Sequence, residues 1–368
     1  MSGKLAIEVG GLSFVNPFVI GSGPPSTNAR IIIKSFEAGW GGSVAKTVAL
    51  SSTPVTNVQP RYGKIKAHGG VIGFENIELI SDRGLDEWED DFKRVKDAFP
   101  DRVLIGSVME SFDQGRWEEV SARCVEAGCD ALELNFSCPH GHPERGMGAA
   151  MGQDPERVEA VTRWVVNAVD VPVWAKMTPN ITDITVPGRA AVAGGAQGLS
   201  AINTILGVIG VNQRTLKPMP TVEGHSTPGG YSYTAVRPIA LRMVKELALA
   251  CPGTPISGIG GVTDSWSAFE HVLMGAQTVQ SCTGPMLQGF EMVTEMIDGL
   301  EALLEKHGFD SLQDAVGHCL PHFTTHHHLV ELQAAKKAAR AAAKSAINAD
   351  TEWGKGRFQD EVGTLSSE

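Results

Sequence analysis

The sequence has six cysteines but no C-x-x-C pair, so it encodes neither a ferredoxin-type cluster nor a structural zinc site. No apolar run approaches the roughly 20 residues that cross a bilayer. Residues 1–10 lack the basic start and apolar centre of an export signal. A cytoplasmic protein without membrane contact is expected. Cys124, Cys129, Cys251 and Cys319 then read as reduced, small, buried side chains. Positive charge is also short: 31 Lys and Arg stand against 42 Asp and Glu, a formal net charge of −11. That balance speaks against a nucleic-acid partner, and leaves room for a local phosphate pocket. Metal-ligand spacing is missing as well. His326, His327 and His328 are adjacent, cannot share a helix face, and read as a loop or helix entry.

A dinucleotide fingerprint is lacking too. The nearest candidate, Gly21-Ser22-Gly23-Pro24-Pro25, misses its third glycine and has prolines where a helix should begin. This sets aside an open doubly wound sheet. No internal repeat is visible.

What is present is a recurring unit. Eight short apolar runs occur at residues 17–21, 43–47, 103–108, 131–136, 173–177, 198–203, 255–259 and 278–282. Continuous apolar runs are typical of strands covered on both faces. Most are followed by a segment of helical periodicity, clearest at 116–127 and 155–169. Asp154 and Pro155 start one such helix as N-cap and first residue. Gly39, Gly128, Gly194 and Gly275 stand where C-cap glycines belong. Eight such units predict an α/β fold, a TIM (β/α)8 barrel over residues 1–310. Residues 311–368 are expected to be a helical extension, strongest at 334–344, and a polar tail from 348 that is disordered or docks a partner. Two long connections, 49–82 and 206–233, are rich in Gly, Pro, Asn and Ser. They fall on the face where barrels carry their chemistry.

The ends of the predicted strands collect polar groups: Lys46-Thr47, Asn135 to Gly141, Lys176, Asn203-Thr204, Gly260-Gly261 and Cys282-Thr283. Two lysines on different strands argue against a merely structural ion pair. They suit an anionic reduced flavin, which needs a cation near N1 and O2. Glycine-rich turns after the seventh and eighth strands suit a phosphate. Asparagine amides both donate and accept, so Asn135 and Asn203 can read a uracil-like edge. Cys138 lies in a loop over the barrel mouth. A thiol of ordinary pKa, roughly 8.5, is protonated at neutral pH and can serve as a general acid.

Together these motifs resemble the FMN domain of the dihydropyrimidine dehydrogenases, relatives of the dihydroorotate dehydrogenases. The resemblance rests on the run from Asn135 to Gly141 with the segments that follow at Glu144 and Gly152. It extends through Phe36 to Gly41, Asn76 to Ser81, Ala175 to Asn180, Pro228 to Tyr231, Arg237 to Arg242 and Gly258 to Gly261. It covers roughly residues 5 to 305, and the bacterial two-subunit form is the most similar. It implies bound FMN and hydride transfer between FMN N5 and pyrimidine C6. Cys138 would exchange the proton at C5. It implies that Asn76, Asn135, Ser137, Asn203 and Thr204 hold the pyrimidine. Flavin contacts are implied for Gly21, Ser22, Gly23, Lys46, Thr47, Lys176, Gly230, Ile259, Gly260, Gly261, Cys282 and Thr283. The loop 137–148 would close over the ring, and His140 would tune it. The family's iron–sulfur cysteines and its FAD and nicotinamide motifs are missing, so electrons are expected from a separate FAD or iron–sulfur protein. The family further implies a homodimer or heterotetramer. Competing readings are a dihydroorotate dehydrogenase, a flavin-free phosphate-binding isomerase, and a scaffold that kept the barrel.

Overall fold

The computed structural model describes residues 3–53, 55–67, 69–138 and 146–353, with side chains as far as residue 343. A short antiparallel hairpin, β1 (Ile7–Val9) and β2 (Leu12–Phe14), comes first. β3 (Phe18–Ile20) and β4 (Gly42–Val44) open the barrel. β5 (Tyr62–Ala67) and β6 (Gly70–Asn76) leave it as an antiparallel pair. β7 (Val103–Val108), β8 (Ala131–Asn135), β9 (Val173–Lys176) and β10 (Gly198–Ala201) continue it. β11 (Ile205–Gly207) and β12 (Gly229–Ser232) depart again, and β13 (Ile256–Ile259) and β14 (Thr278–Ser281) close it.

Eight parallel strands form the closed ring β3-β4-β7-β8-β9-β10-β13-β14, so the fold is a TIM barrel. All eight expected strands are found. Two stop earlier than expected, β4 at Val44 and β10 at Ala201, although Ala45 and Ile202 just beyond them still donate their backbone N–H groups to Ile105 and Ile259 of the neighbouring strands. The N-terminal hairpin was not foreseen, since three-residue strands carry almost no periodic signal.

Helix starts follow the capping logic. Asp154 accepts the Glu156 and Arg157 N–H groups ahead of the helix Pro155–Ala168. Asp113 and Asn28 cap Gln114–Glu126 and Ala29–Ala38 in the same way. Gly39, Gly128 and Gly275 take the left-handed conformation expected of them; after the helix Thr185–Ala193 it is Gly195 (φ 100°), not Gly194. Between ring and helices lies one apolar core that includes fully buried Trp40, Trp88, Trp117 and Trp174.

The compact unit runs from Met1 to Leu320. It passes residue 310 because Leu312 and Ala315 bury completely in the same core. The second unit, 321–368, carries the helix His326–Trp353, so the three histidines stand at a helix start. Residues 354–368 of the polar tail lie outside the described residues. Among the described residues no helix is long and apolar enough to cross a membrane.

The two long connections do more than lie on one face. They pair with each other. β12 bonds antiparallel to β6 with Gly230 opposite Asn76, which makes the four-stranded sheet β11-β12-β6-β5. Residues more than 150 positions apart thus share one sheet.

Candidate active site

A cleft of about 1040 Å³, open to solvent on one side, lies between the C-terminal ends of the barrel strands and the four-stranded sheet. Two of the contacts that fasten barrel to sheet flank the cleft. Ser232 Oγ on β12 lies 2.9 Å from Thr283 Oγ1, just beyond β14. Lys46, just beyond β4, is ion-paired to Glu78, just beyond β6, at 2.9 Å.

One wall is a run of amides. Asn135 ends β8, and its Nδ2 donates to Thr47 Oγ1 at 2.9 Å. Its Oδ1 accepts the Ser137 N–H and hydroxyl at 3.1 and 2.9 Å. Asn203 Nδ2 donates to Ser137 Oγ at 2.8 Å, and the Thr204 N–H donates to Asn203 Oδ1 at 2.7 Å. Each amide is therefore fixed in orientation, with Asn203 Nδ2 also 3.5 Å from Asn135 Oδ1, and the Asn135 NH2 keeps a second N–H to offer. Ser137 is fully buried behind this pair and does not line the cleft. Asn76 faces the same space from the sheet, where its Nδ2 reaches the Gly230 carbonyl at 3.3 Å. A Cβ on Gly230 would lie 2.2 Å from Thr204 Oγ1, so glycine there lets Asn76 and Thr204 approach.

The two lysines correct one expectation. Both stand in ion pairs, because an ammonium this buried requires a partner. Lys176 Nζ lies 3.1 Å from Glu133 Oε1, and the other oxygen of Glu133 accepts from Gln280 Nε2 at 3.0 Å. Glu78 also takes Arg61 at 3.2 Å and the Tyr62 hydroxyl at 3.1 Å. Sequence reasoning missed Glu78, Glu133 and Gln280. A charge inside the apolar run of β8 was the available signal for Glu133.

The opposite wall is glycine. A Cβ on Gly23 would meet Cys282 Sγ at 2.5 Å, and one on Gly21 would meet the Ile259 side chain at 2.8 Å. Gly260 (φ 134°) and Gly261 (φ 76°) turn in backbone conformations that side chains rarely adopt. Ser22, Gly23, Lys46, Thr47, Lys176, Ile259, Gly260, Gly261, Cys282 and Thr283 line the cleft with Asn76, Asn135, Asn203, Thr204 and Cys138; Gly21 and Gly230 sit one layer behind.

Two thiols face this space. Burial pushes Cys282 up to about 11, which leaves almost no thiolate at neutral pH. Cys138 packs against the cluster of Ala49, Ile80, Met109 and Met147, and its carbonyl accepts the Ala149 N–H at 3.0 Å. The turn that brings it there needs Gly148 (φ 59°), whose Cβ would lie 2.7 Å from the Cys138 carbonyl oxygen. His140 and residues 139–145 of the expected closing loop lie outside the described residues.

Comparison with known proteins then decides the family. The dihydroorotate dehydrogenase family model matches residues 4–304. The chain belongs to the dihydroorotate dehydrogenase family. It is an oxidoreductase. The chloroplastic dihydropyrimidine dehydrogenase (NADP(+)) of Arabidopsis thaliana is 46% identical, over 99% of this chain and 88% of that protein. The NAD-dependent dihydropyrimidine dehydrogenase subunit PreA of Escherichia coli K12 is 40% identical over 85% of this chain and 76% of its own. The catalytic subunit of dihydroorotate dehydrogenase B (NAD(+)) from Thermococcus kodakarensis is 36% identical, over 85% and 97%.

Proposed function

We propose that this chain is the flavin-binding catalytic subunit of a dihydropyrimidine dehydrogenase, interconverting uracil or thymine and the 5,6-dihydro ring. The observation that carries this reading is the pairing, in one cleft, of a fixed amide wall beside Cys138 with a glycine wall opposite. A plain pyrimidine needs donors and acceptors but no cation of its own. The lysines that line the cleft, Lys46 and Lys176, are already held by glutamates. A ring bearing a carboxylate, as in a dihydroorotate dehydrogenase, calls for a further base, and the described lining residues include none.

The cleft suits FMN. Side chains at Gly23, Gly260 and Gly261 would clash with the surrounding wall, so bare backbone faces the region where a phosphate would lie. Lys176 lies where an ammonium can face the flavin ring, and FMN, when bound, supplies the two-electron chemistry. Cys138 exchanges the proton at the neighbouring ring carbon as general acid or base. Asn76, Asn135, Asn203 and Thr204 hold the ring edge in register with that thiol, and Ser137 locks two of them. Electrons pass to or from a separate protein, a reading supported by the naming of two relatives as subunits.

The test is an anaerobic absorption titration of the purified protein with dihydrouracil, dihydrothymine and dihydroorotate. Bleaching of a flavin band by the first two supports the proposal. Bleaching by dihydroorotate alone favours the dihydroorotate enzyme. A colourless protein that FMN does not reconstitute refutes the flavin reading.

A further inference from the structure

His271 lies on the helix Ser265–Leu273, behind the barrel wall, and is fully buried. Its Nε2 sits 3.1 Å from the Gly260 carbonyl oxygen. A carbonyl only accepts, so the ring proton is on Nε2 and the imidazole donates. Nδ1 has no hydrogen-bond partner among the described residues, as fits that tautomer. The sequence makes room for the ring: a Cβ on Gly258 would lie 2.6 Å from Nδ1.

The consequence lies on the other side of the same peptide. Gly260–Gly261 is not among the cis bonds, and in a trans peptide the C=O and the following N–H point in opposite directions. Tying the Gly260 oxygen back to the helix layer therefore turns the Gly261 N–H away from that layer. Gly260, Gly261 and Val262 all line the cleft, and no described residue accepts the Gly261 N–H. Glycine is obligatory at the pivot, because a Cβ on Gly261 would lie 2.5 Å from the Arg237 side chain.

We infer that His271 is a positioning residue for the phosphate of the cofactor: its Nε2–H fixes the Gly260–Gly261 peptide so that the Gly261 amide is already aimed at the phosphate. The inference rests on the FMN reading and adds to it a residue that touches neither flavin nor substrate.

Riboflavin, which is FMN without the phosphate, separates this role from general support of the fold. The full-length protein, stripped of cofactor, is titrated with FMN and with riboflavin by flavin fluorescence. His271→Phe keeps a ring but removes the donor, and His271→Gln restores an N–H near the Nε2 position. His271→Met is a second donor-free variant should the Phe protein not fold. The donor-free protein is expected to lose about tenfold in FMN affinity, the scale of one hydrogen bond, with riboflavin affinity unchanged. The Gln variant should recover most of that loss. Equal loss for both ligands, or no loss for FMN, overturns the inference. A wild-type protein that binds riboflavin but gains nothing from the phosphate overturns it while leaving a flavin site. One that binds neither refutes the FMN reading and the inference with it.

Discussion

Lys46 and Glu78 join the barrel to the sheet beside it, Nζ to Oε1 at 2.9 Å, with both side chains buried. Neither residue is on the same element as the other, so the pair acts as a bolt between two layers. Removing Glu78 strands the buried Lys46 ammonium, which costs about 3–5 kcal/mol, whereas removing Lys46 leaves Glu78 still paired with Arg61 and the Tyr62 hydroxyl and costs less. Glu78→Leu should lower unfolding stability by that order, Lys46→Met by less, and the double variant should be more stable than Glu78→Leu alone. Denaturant unfolding of the four proteins checks this, and simple additivity would show that the pair is not coupled.

Cys138→Ala should slow reduction of the bound flavin by dihydrouracil about 100-fold to 10,000-fold, the usual range for loss of a general acid or base. The resting flavin spectrum should be unchanged, because the proposed role puts the thiol at the substrate rather than the flavin. Anaerobic stopped-flow absorbance measures both. Cys282→Ala should leave the rate within a few-fold, since burial holds that thiol at about 11.

Gly230→Ala would place a methyl 2.2 Å from Thr204 Oγ1 and 3.2 Å from Asn76 Nδ2. The expected result is a pyrimidine KM raised at least tenfold, with FMN affinity nearly intact. A variant that loses FMN and pyrimidine together would argue that the sheet, not the contact, has been disturbed.

Two buried groups set opposite pH slopes. Burial lowers His271 from 6.5 to about 4, so the unfolded chain takes up this proton first and stability falls as pH drops from 6.5 towards 4. The full effect is about 3 kcal/mol. Burial raises Glu75 from 4.5 to about 7. The native state therefore holds that proton longer, and stability falls as pH rises from 4.5 to 7. Between pH 4.5 and 6.5 the two slopes oppose each other. The wild-type contribution from this pair should be nearly flat there, His271→Phe should become less stable with rising pH, and Glu75→Gln more stable. Thermal melts across pH 4–8 test the signs.

Much of this was readable in advance. The ring was legible because strands covered on both faces print as apolar runs, and Asn135, Lys176 and Cys282 could be placed by lying at or just past their ends. The partners of the lysines were harder. Glu78 belongs to a loop, and Gln280 points inward from a strand where a polar residue gives no sign of its direction. His271 was invisible, because a histidine in an amphipathic helix looks like any other half-polar residue until the glycine opposite it is seen. The pairing of β6 with β12 was beyond reach as well, since register between distant short strands is set by the barrel that carries them.

That pairing also constrains how such a protein can change. Each insertion supplies strand edges that the other covers: β6 has β5 on one side and β12 on the other. Transplanting one insertion alone from another barrel would leave an open edge and misplace Asn76 or Gly230. On the proposed roles of these residues, substrate range is inherited as a matched set of two loops, and an engineer who wishes to graft it should move both together.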